Sequence, residues 1–134
     1  MASVNLSRAT RLKDVAFRYG SKDISWVIKT LQTITPKHRD LRQISIYMHS
    51  HLTSFDVGTN IRQTVGEATT RQWLDLDHLL VELWESHSIR PKIGCVKLGE
   101  EQQNAEYCVG CLLPEVTERG IIDVVEYRKG HWMS

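Results

Sequence analysis

Apolar and polar residues recur along this chain with two periods, one typical of strands and one typical of helices. Residues 12–17 alternate apolar side chains with polar or small ones, and residues 41–46 repeat this pattern 29 positions later. Residues 90–95 and 122–127 repeat it more loosely. The pattern predicts strands over residues 12–17, 41–48, 92–98 and 121–127.

Segments of helical periodicity separate these strands. An apolar stripe predicts a first helix over residues 21–34, which ends before a proline. The longest helix is predicted to start at a capping box formed by Thr64 and Glu67. Residues 99–106 are polar and predict a loop, and a short helix is predicted within residues 108–119. The long helix is predicted to bury an apolar stripe and to turn its acidic residues to solvent, namely Asp75, Asp77, Glu82 and Glu85.

The alternation of strands and helices is typical of parallel strands joined by right-handed crossovers. It predicts an α/β fold of strand-helix repeats with a mainly parallel sheet, a degenerate leucine-rich-repeat-like domain over residues 1–134. The alternative is a compact two-layer or three-layer α/β domain. The chain is interpreted either as a single domain or as the C-terminal piece of a longer repeat protein.

Length and composition narrow the class of protein. At 134 residues and 41% hydrophobic, the chain suffices for one core. It contains no uncharged apolar run of the roughly 18 residues that a membrane helix requires, and its first residues lack a signal peptide's apolar segment. The chain has three cysteines, a small and odd number that is typical of proteins in a reducing compartment. We therefore expect an intracellular, cytoplasmic protein with no membrane partner.

Charge is unevenly distributed, although the net charge is +1. Residues 1–62 carry ten Lys and Arg against four Asp, whereas residues 63–134 carry seven against twelve acids. A basic half could contact phosphates. The basic residues are scattered, however, and no ladder of aromatic residues lies between them. We therefore interpret these basic residues as a solvated face, and we keep weak nucleic-acid binding through this half only as an alternative.

The pair His49 and His51 is the pattern most typical of catalysis. Two imidazoles two residues apart at a strand end can chelate a metal ion. The pair also resembles the His-Ser-His core of JAMM-type metalloproteases. That family requires a proline where this chain has Leu52, and an upstream glutamate, whereas the first glutamate here is Glu67. A small metal-dependent hydrolase is therefore kept only as an alternative.

A second candidate metal site involves the cysteines. Cys108 and Cys111 have the two-residue gap of half a zinc site, and Cys95 could supply a third thiolate. A second paired half-site is missing, so small buried side chains are the competing interpretation. Zinc is expected only in these alternatives, and the leading interpretation involves no cofactor.

Several segments resemble uncharacterised proteins of mushroom-forming fungi. They are residues 38–46, 65–68, 72–77, 83–90 and 112–122, so that the resemblance covers roughly residues 38 to 127. In that group the matching segment is similar to the C-terminal part of a longer leucine-rich-repeat-like region, often behind an F-box-like start. The resemblance implies a protein-recognition region without known catalysis. This chain shows no F-box-like N-terminal module.

The leading function is therefore a non-enzymatic protein-interaction module that presents a sheet face or edge to a partner. The partner is a different protein or a second copy of the chain, because an unpaired sheet edge invites strand addition. A tryptophan close to the C-terminus, Trp132, is a candidate interface anchor. The residues expected to project from the strands toward a partner are Lys13, Asp14, Arg42, Gln43, Ser45 and Tyr47.

Overall fold

The computed structural model describes residues 4–19, 24–48, 55–96 and 102–127 of the chain. Strands and helices alternate along these residues, which confirms the predicted α/β class. In chain order the elements are β1 (Asp14–Tyr19), α1 (Ser25–Leu31), β2 (Gln43–Met48), α2 (Ile61–Val65), α3 (Glu67–His87), β3 (Arg90–Val96), α4 (Gln102–Leu112), α5 (Pro114–Glu118) and β4 (Asp123–Tyr127).

Within the described residues, the strands form one parallel sheet in the order β1-β2-β3-β4. Phe17 lies opposite Ile46, Ile46 opposite Ile93, and Ile93 opposite Val124, so one row of side chains crosses the sheet. Because neighbouring strands follow one another in sequence, right-handed crossovers place the connecting helices on the same side. The predicted parallel sheet is confirmed, and it has two unlike faces.

The core lies between the helices and one face of this sheet. Phe17, Ile46 and Ile93 join side chains of α1, α3, α4 and α5 in one apolar cluster of the described residues. Trp73 of α3 is fully buried in it. The Phe17 ring meets Trp26 edge-on, with ring centroids 5.6 Å apart. Burial of each such side chain contributes about 1.5–3 kcal/mol to stability.

The predicted capping box at the start of the long helix is wrong. Gly66, with φ of 95°, interrupts the helix and separates α2 from α3. Thr64 lies inside α2, and its hydroxyl donates to the Asn60 carbonyl at 2.8 Å. The cap of α2 is Asn60, whose side chain accepts the N–H of Gln63 at 3.2 Å. A positive φ, which glycine adopts without a steric penalty, therefore overrides the local capping pattern.

The predicted loop over residues 99–106 is wrong for its last part, because α4 begins at Gln102. Ala105, Val109 and Leu112 recur at helical spacing and are each at most 2% exposed. This buried stripe stabilises the helix although most residues of its first turn are polar. Pro114 then occupies the first turn of α5, where its missing N–H has no cost.

Asp77 was predicted on the solvated side of the long helix, and this prediction is wrong. Its side chain is 1% exposed. One carboxylate oxygen accepts the N–H of Glu115 at 2.9 Å, and the other accepts the N–H of Val116 at 3.0 Å. Burial raises the pKa of Asp77, although these two hydrogen bonds act in the opposite direction. Asp77 therefore caps α5 from a distance and fixes it against α3.

Candidate interaction surface

The sheet turns one set of side chains away from the helices, and we call this surface the open face. The side chains on it are, by register, Asp14, Ala16, Arg18, Gln43, Ser45, Tyr47, Arg90, Lys92, Gly94, Asp123 and Val125. None of the described helices contributes its buried side chains to this side. All-parallel sheets normally have both faces covered. Here Ser45 and Tyr47, in the middle of the open face, are 7% and 9% exposed, although the described helices pack on the other side.

The centre of the open face is formed by Tyr47 and Gly94, which are cross-strand neighbours on β2 and β3. A β-carbon added at Gly94 would overlap the Tyr47 ring at Cδ1 and Cε1. The ring therefore lies flat over the glycine and shields the backbone that a side chain would otherwise cover. Tyr47 is only 9% exposed. It forms an aromatic floor and projects little from the sheet.

Charged side chains of both signs surround this floor. Arg90 pairs with Asp123 across β3 and β4, with Nε 3.3 Å from Oδ2, and both side chains are 49% exposed. Asp14 and Arg18 are exposed on β1, and Lys92 is half-buried on β3. No described residue forms an ion pair with Lys92. The open face thus offers an ammonium group beside an aromatic surface.

The other residues predicted to contact a partner occupy different places. Gln43 lies on the open face and is half-buried. Lys13 and Arg42 precede the strands at the amino edge of the sheet, where the Lys13 carbonyl accepts the Arg42 N–H at 2.8 Å. The Arg42 guanidinium is bonded to the carbonyl of Arg39 at 2.6 Å. Trp132 lies outside the described residues.

The basic residues of the first half are distributed over several surfaces. Arg18 lies on the open face, whereas Lys29 is exposed on α1, which packs on the opposite side of the sheet. The Arg42 guanidinium is engaged with backbone carbonyls at the amino edge. Phosphate binding requires clustered cations, and these residues do not share one face.

The candidate metal ligands are brought together only in part. His49 and His51 lie outside the described residues, as does the side chain of Cys95. Cys108 and Cys111 lie one turn apart on α4, where Cys108 is buried and its thiol donates to the Phe55 carbonyl at 3.5 Å. Among the described side chains, no three of His, Cys, Asp and Glu converge as a metal site would require.

Alkylation of the folded chain with iodoacetamide near neutral pH is expected to spare Cys108. Its thiol is buried, and burial raises its pKa, so little of the reactive thiolate forms. Cys111 is half-buried at the surface of the same helix and is expected to react. Peptide mapping by mass spectrometry measures both sites. In urea both cysteines should react equally. Equal modification of Cys108 and Cys111 in the folded chain would contradict the burial of Cys108.

Two surface depressions lie away from the open face. The smaller one has a volume of about 300 Å³ and contains His38, which is buried. Both ring nitrogens of His38 have a hydrogen-bond partner: Nε2 lies 2.7 Å from the Leu6 carbonyl oxygen, and Nδ1 accepts the Thr35 N–H at 3.0 Å. The ring nitrogens of His87 have no hydrogen-bond partner among the described residues. The smaller depression is lined by Pro36, His38, Arg39, Ser86 and His87. The larger, of about 550 Å³, is lined by Arg62, Gln63, Glu67, Thr70, Arg71 and Leu74. In the larger depression the Thr70 hydroxyl is engaged with the backbone, since it lies 3.1 Å from the Arg62 carbonyl oxygen and 2.8 Å from that of Gly66.

Comparison of the chain with protein-family models, with curated proteins and with solved structures gave no match. Of the helices in the described part of the chain, none is long and apolar enough to span a bilayer.

Proposed function

We propose that this chain is a non-enzymatic protein-interaction module that receives a segment of a partner protein on its open face. The observation that supports this most is that the described helices pack on one face of this all-parallel sheet, whereas such sheets normally have both faces covered. A partner segment laid on this face would supply the missing layer. The opposite face, by contrast, is already filled by the helices.

The chemistry of the open face indicates what such a segment carries. The flat Tyr47 ring over Gly94 favours an apolar side chain on the partner. Lys92 is a half-buried residue whose ammonium group has no ion-pair partner among the described residues, and it favours a carboxylate beside it. An extended segment that alternates apolar and acidic residues satisfies both requirements. Lys13 and Arg42 at the amino edge would extend the contact, and Trp132 would be a further anchor.

In this proposal the chain is a strand-helix repeat of the leucine-rich-repeat-like kind, similar to the recognition regions of the fungal proteins that its segments resemble. Such repeats commonly bind partners along the sheet, because each repeat contributes one strand to a continuous surface. The parallel sheet with strands in sequential order supports this interpretation. We expect the module to act inside the cell.

Affinity capture with three baits tests the proposal. The wild-type chain is compared with an open-face variant, Lys92→Glu with Gln43→Glu, and with a control variant, Lys29→Glu with Gln103→Glu. The control makes the same chemical changes on exposed residues of α1 and α4, so both variants alter net charge equally. Captured proteins from an extract of cells that express the chain are quantified by mass spectrometry. The strongest is then purified and titrated against all three baits.

A protein that binds the wild type and the control, but not the open-face variant, would support the proposal. Equal binding by all three baits, or no specific capture by the wild type, would overturn it. Thermal unfolding of each bait establishes that the variants are folded, so that a lost interaction is not mistaken for a lost fold.

A further inference from the structure

One edge of the sheet is formed by β1, and β2 is its only partner among the described strands. The Lys13 carbonyl accepts the Arg42 N–H, so the polar backbone groups of Lys13 face β2. The N–H and C=O groups of successive strand residues point to opposite sides of the strand. Those of Asp14, Ala16 and Arg18 therefore point away from β2, toward the free edge.

The sequence of β1 is complementary to itself when two copies run antiparallel. With Ala16 opposite Ala16 of a second copy, Asp14 lies opposite Arg18, and Val15 lies opposite Phe17. In this register every outward-facing residue meets another outward-facing residue. Each such pair can exchange both backbone hydrogen bonds, as antiparallel hydrogen-bonded pairs do. The donor pattern of the free edge and the side-chain pattern thus select the same register.

The side chains of this register match on both faces of the sheet. On the open face Asp14 and Arg18 are exposed and of opposite charge, which stabilises a cross-strand pair. Arg18 also interacts within its own chain, but its guanidinium carries several donors. On the helix face, half-buried Val15 lies opposite Phe17, which is 5% exposed and packs in the core against Trp26. A shift of two residues would place Asp14 opposite Ala16 and would lose both charge pairs.

The opposite edge of the sheet lacks this complementarity. Antiparallel pairing of β4 with a second copy, centred on Val125, would place Val124 opposite Glu126. That register opposes an apolar residue to a charged one and contains no pair of opposite charge. The self-complementary edge is therefore β1.

We propose that two copies of this chain associate through antiparallel pairing of β1 centred on Ala16. The contact is isologous, since each copy contributes the same strand. Residues of the open face pair with residues of the open face, so the two sheets join into one and both open faces lie on the same side. This association goes beyond the proposed function, because it uses the edge of the sheet and does not require a partner on its face.

Sedimentation of the full chain from micromolar to submillimolar concentration tests the association. The wild type is expected to form dimers as concentration rises. Ala16→Pro is expected to abolish the dimers, because proline lacks the N–H that points outward at the centre of the contact. The hydrogen bonds between β1 and β2 do not use this N–H and are kept. Asp14→Arg places like charges opposite one another at both symmetric positions and is expected to weaken the dimer on the order of tenfold. The matched control, Asp75→Arg, makes the same change of charge at an exposed residue of α3 and should leave the dimer unchanged.

Charge exchange gives the decisive result. Arg18→Asp alone should also weaken self-association, whereas a mixture of Asp14→Arg chains with Arg18→Asp chains should form a heterodimer in which both charge pairs are restored. Heterodimer formation also demonstrates that both variants are folded. A wild type that stays monomeric throughout, a dimer that survives Ala16→Pro, or variants that fail to associate with each other would each overturn the proposal. Capture of a partner on the open face has no bearing on these outcomes.

Discussion

Replacement of Asp77 by alanine is expected to lower the free energy of unfolding by about 2 to 4 kcal/mol. The carboxylate is buried and accepts the backbone N–H groups of Glu115 and Val116. Alanine would leave both donors without an acceptor at the start of α5, and Val116 is fully buried, so water cannot replace the lost bond. Urea denaturation monitored by circular dichroism measures the change.

Asp75→Ala is the matched control, because Asp75 lies on the same helix and is exposed. Its effect is expected to stay within about 0.5 kcal/mol. Asp77→Asn should lie between the two, since an amide keeps one acceptor oxygen and turns an NH₂ group toward the second donor. Similar effects of Asp75→Ala and Asp77→Ala would show that the distant cap contributes nothing.

The same comparison depends on pH in a defined direction. Burial raises the pKa of Asp77 above its ordinary value of 3.8, so the folded chain binds the proton more tightly than the unfolded chain. The contribution of Asp77 to stability is therefore complete below that value and declines as pH rises through the raised pKa. The loss caused by Asp77→Ala is expected to be largest below about pH 4.

Substitution of Gly94 by alanine is expected to destabilise the chain by about 1 to 3 kcal/mol. The new β-carbon would overlap the Tyr47 ring, which must leave the sheet surface or push the strands apart. Binding at the open face would be lost with the aromatic floor. Chemical denaturation and titration with a captured partner measure the two effects.

A double-mutant cycle with Tyr47→Ala isolates the cause of this effect. Once the ring is removed, Gly94→Ala should cost little, so the two substitutions should be strongly non-additive. Gly110→Ala is the control: the nearest atom to a β-carbon there lies at 3.6 Å, and the residue is inside α4. It is expected to stabilise the chain by about 0.5–1 kcal/mol, the opposite sign. Additive effects at Tyr47 and Gly94 would contradict the contact.

The features that sequence reasoning predicted correctly are those that local periodicity determines. Apolar alternation and helical stripes were sufficient for the α/β class, and the order of elements was sufficient for a parallel sheet. The helix break at Gly66 and the cap from Asp77 depend on backbone conformation and on a neighbour distant in sequence. One local signal did exist: Asp77 lies four residues after Trp73 and four before Val81, within the buried stripe of α3.

The open face could be predicted only in outline. Alternation along β2 places Gln43 and Tyr47 on one side, in agreement with the register. The sequence of β2 alone does not predict that the Tyr47 ring lies flat, because this orientation depends on Gly94, which β3 places opposite Tyr47. The sequence also does not show that Lys13 and Arg42 precede the strands, because the hydrogen bonds between neighbouring strands determine where each strand begins.

The pairing of Tyr47 with Gly94 also constrains how this chain can change during evolution. A larger residue at position 94 is compatible with this sheet only if a smaller one stands at position 47. The two sites should therefore covary among homologues, and neither should drift alone. Since they are far apart in sequence and adjacent in register, such a covarying pair would be a signature by which distant relatives of this chain can be recognised.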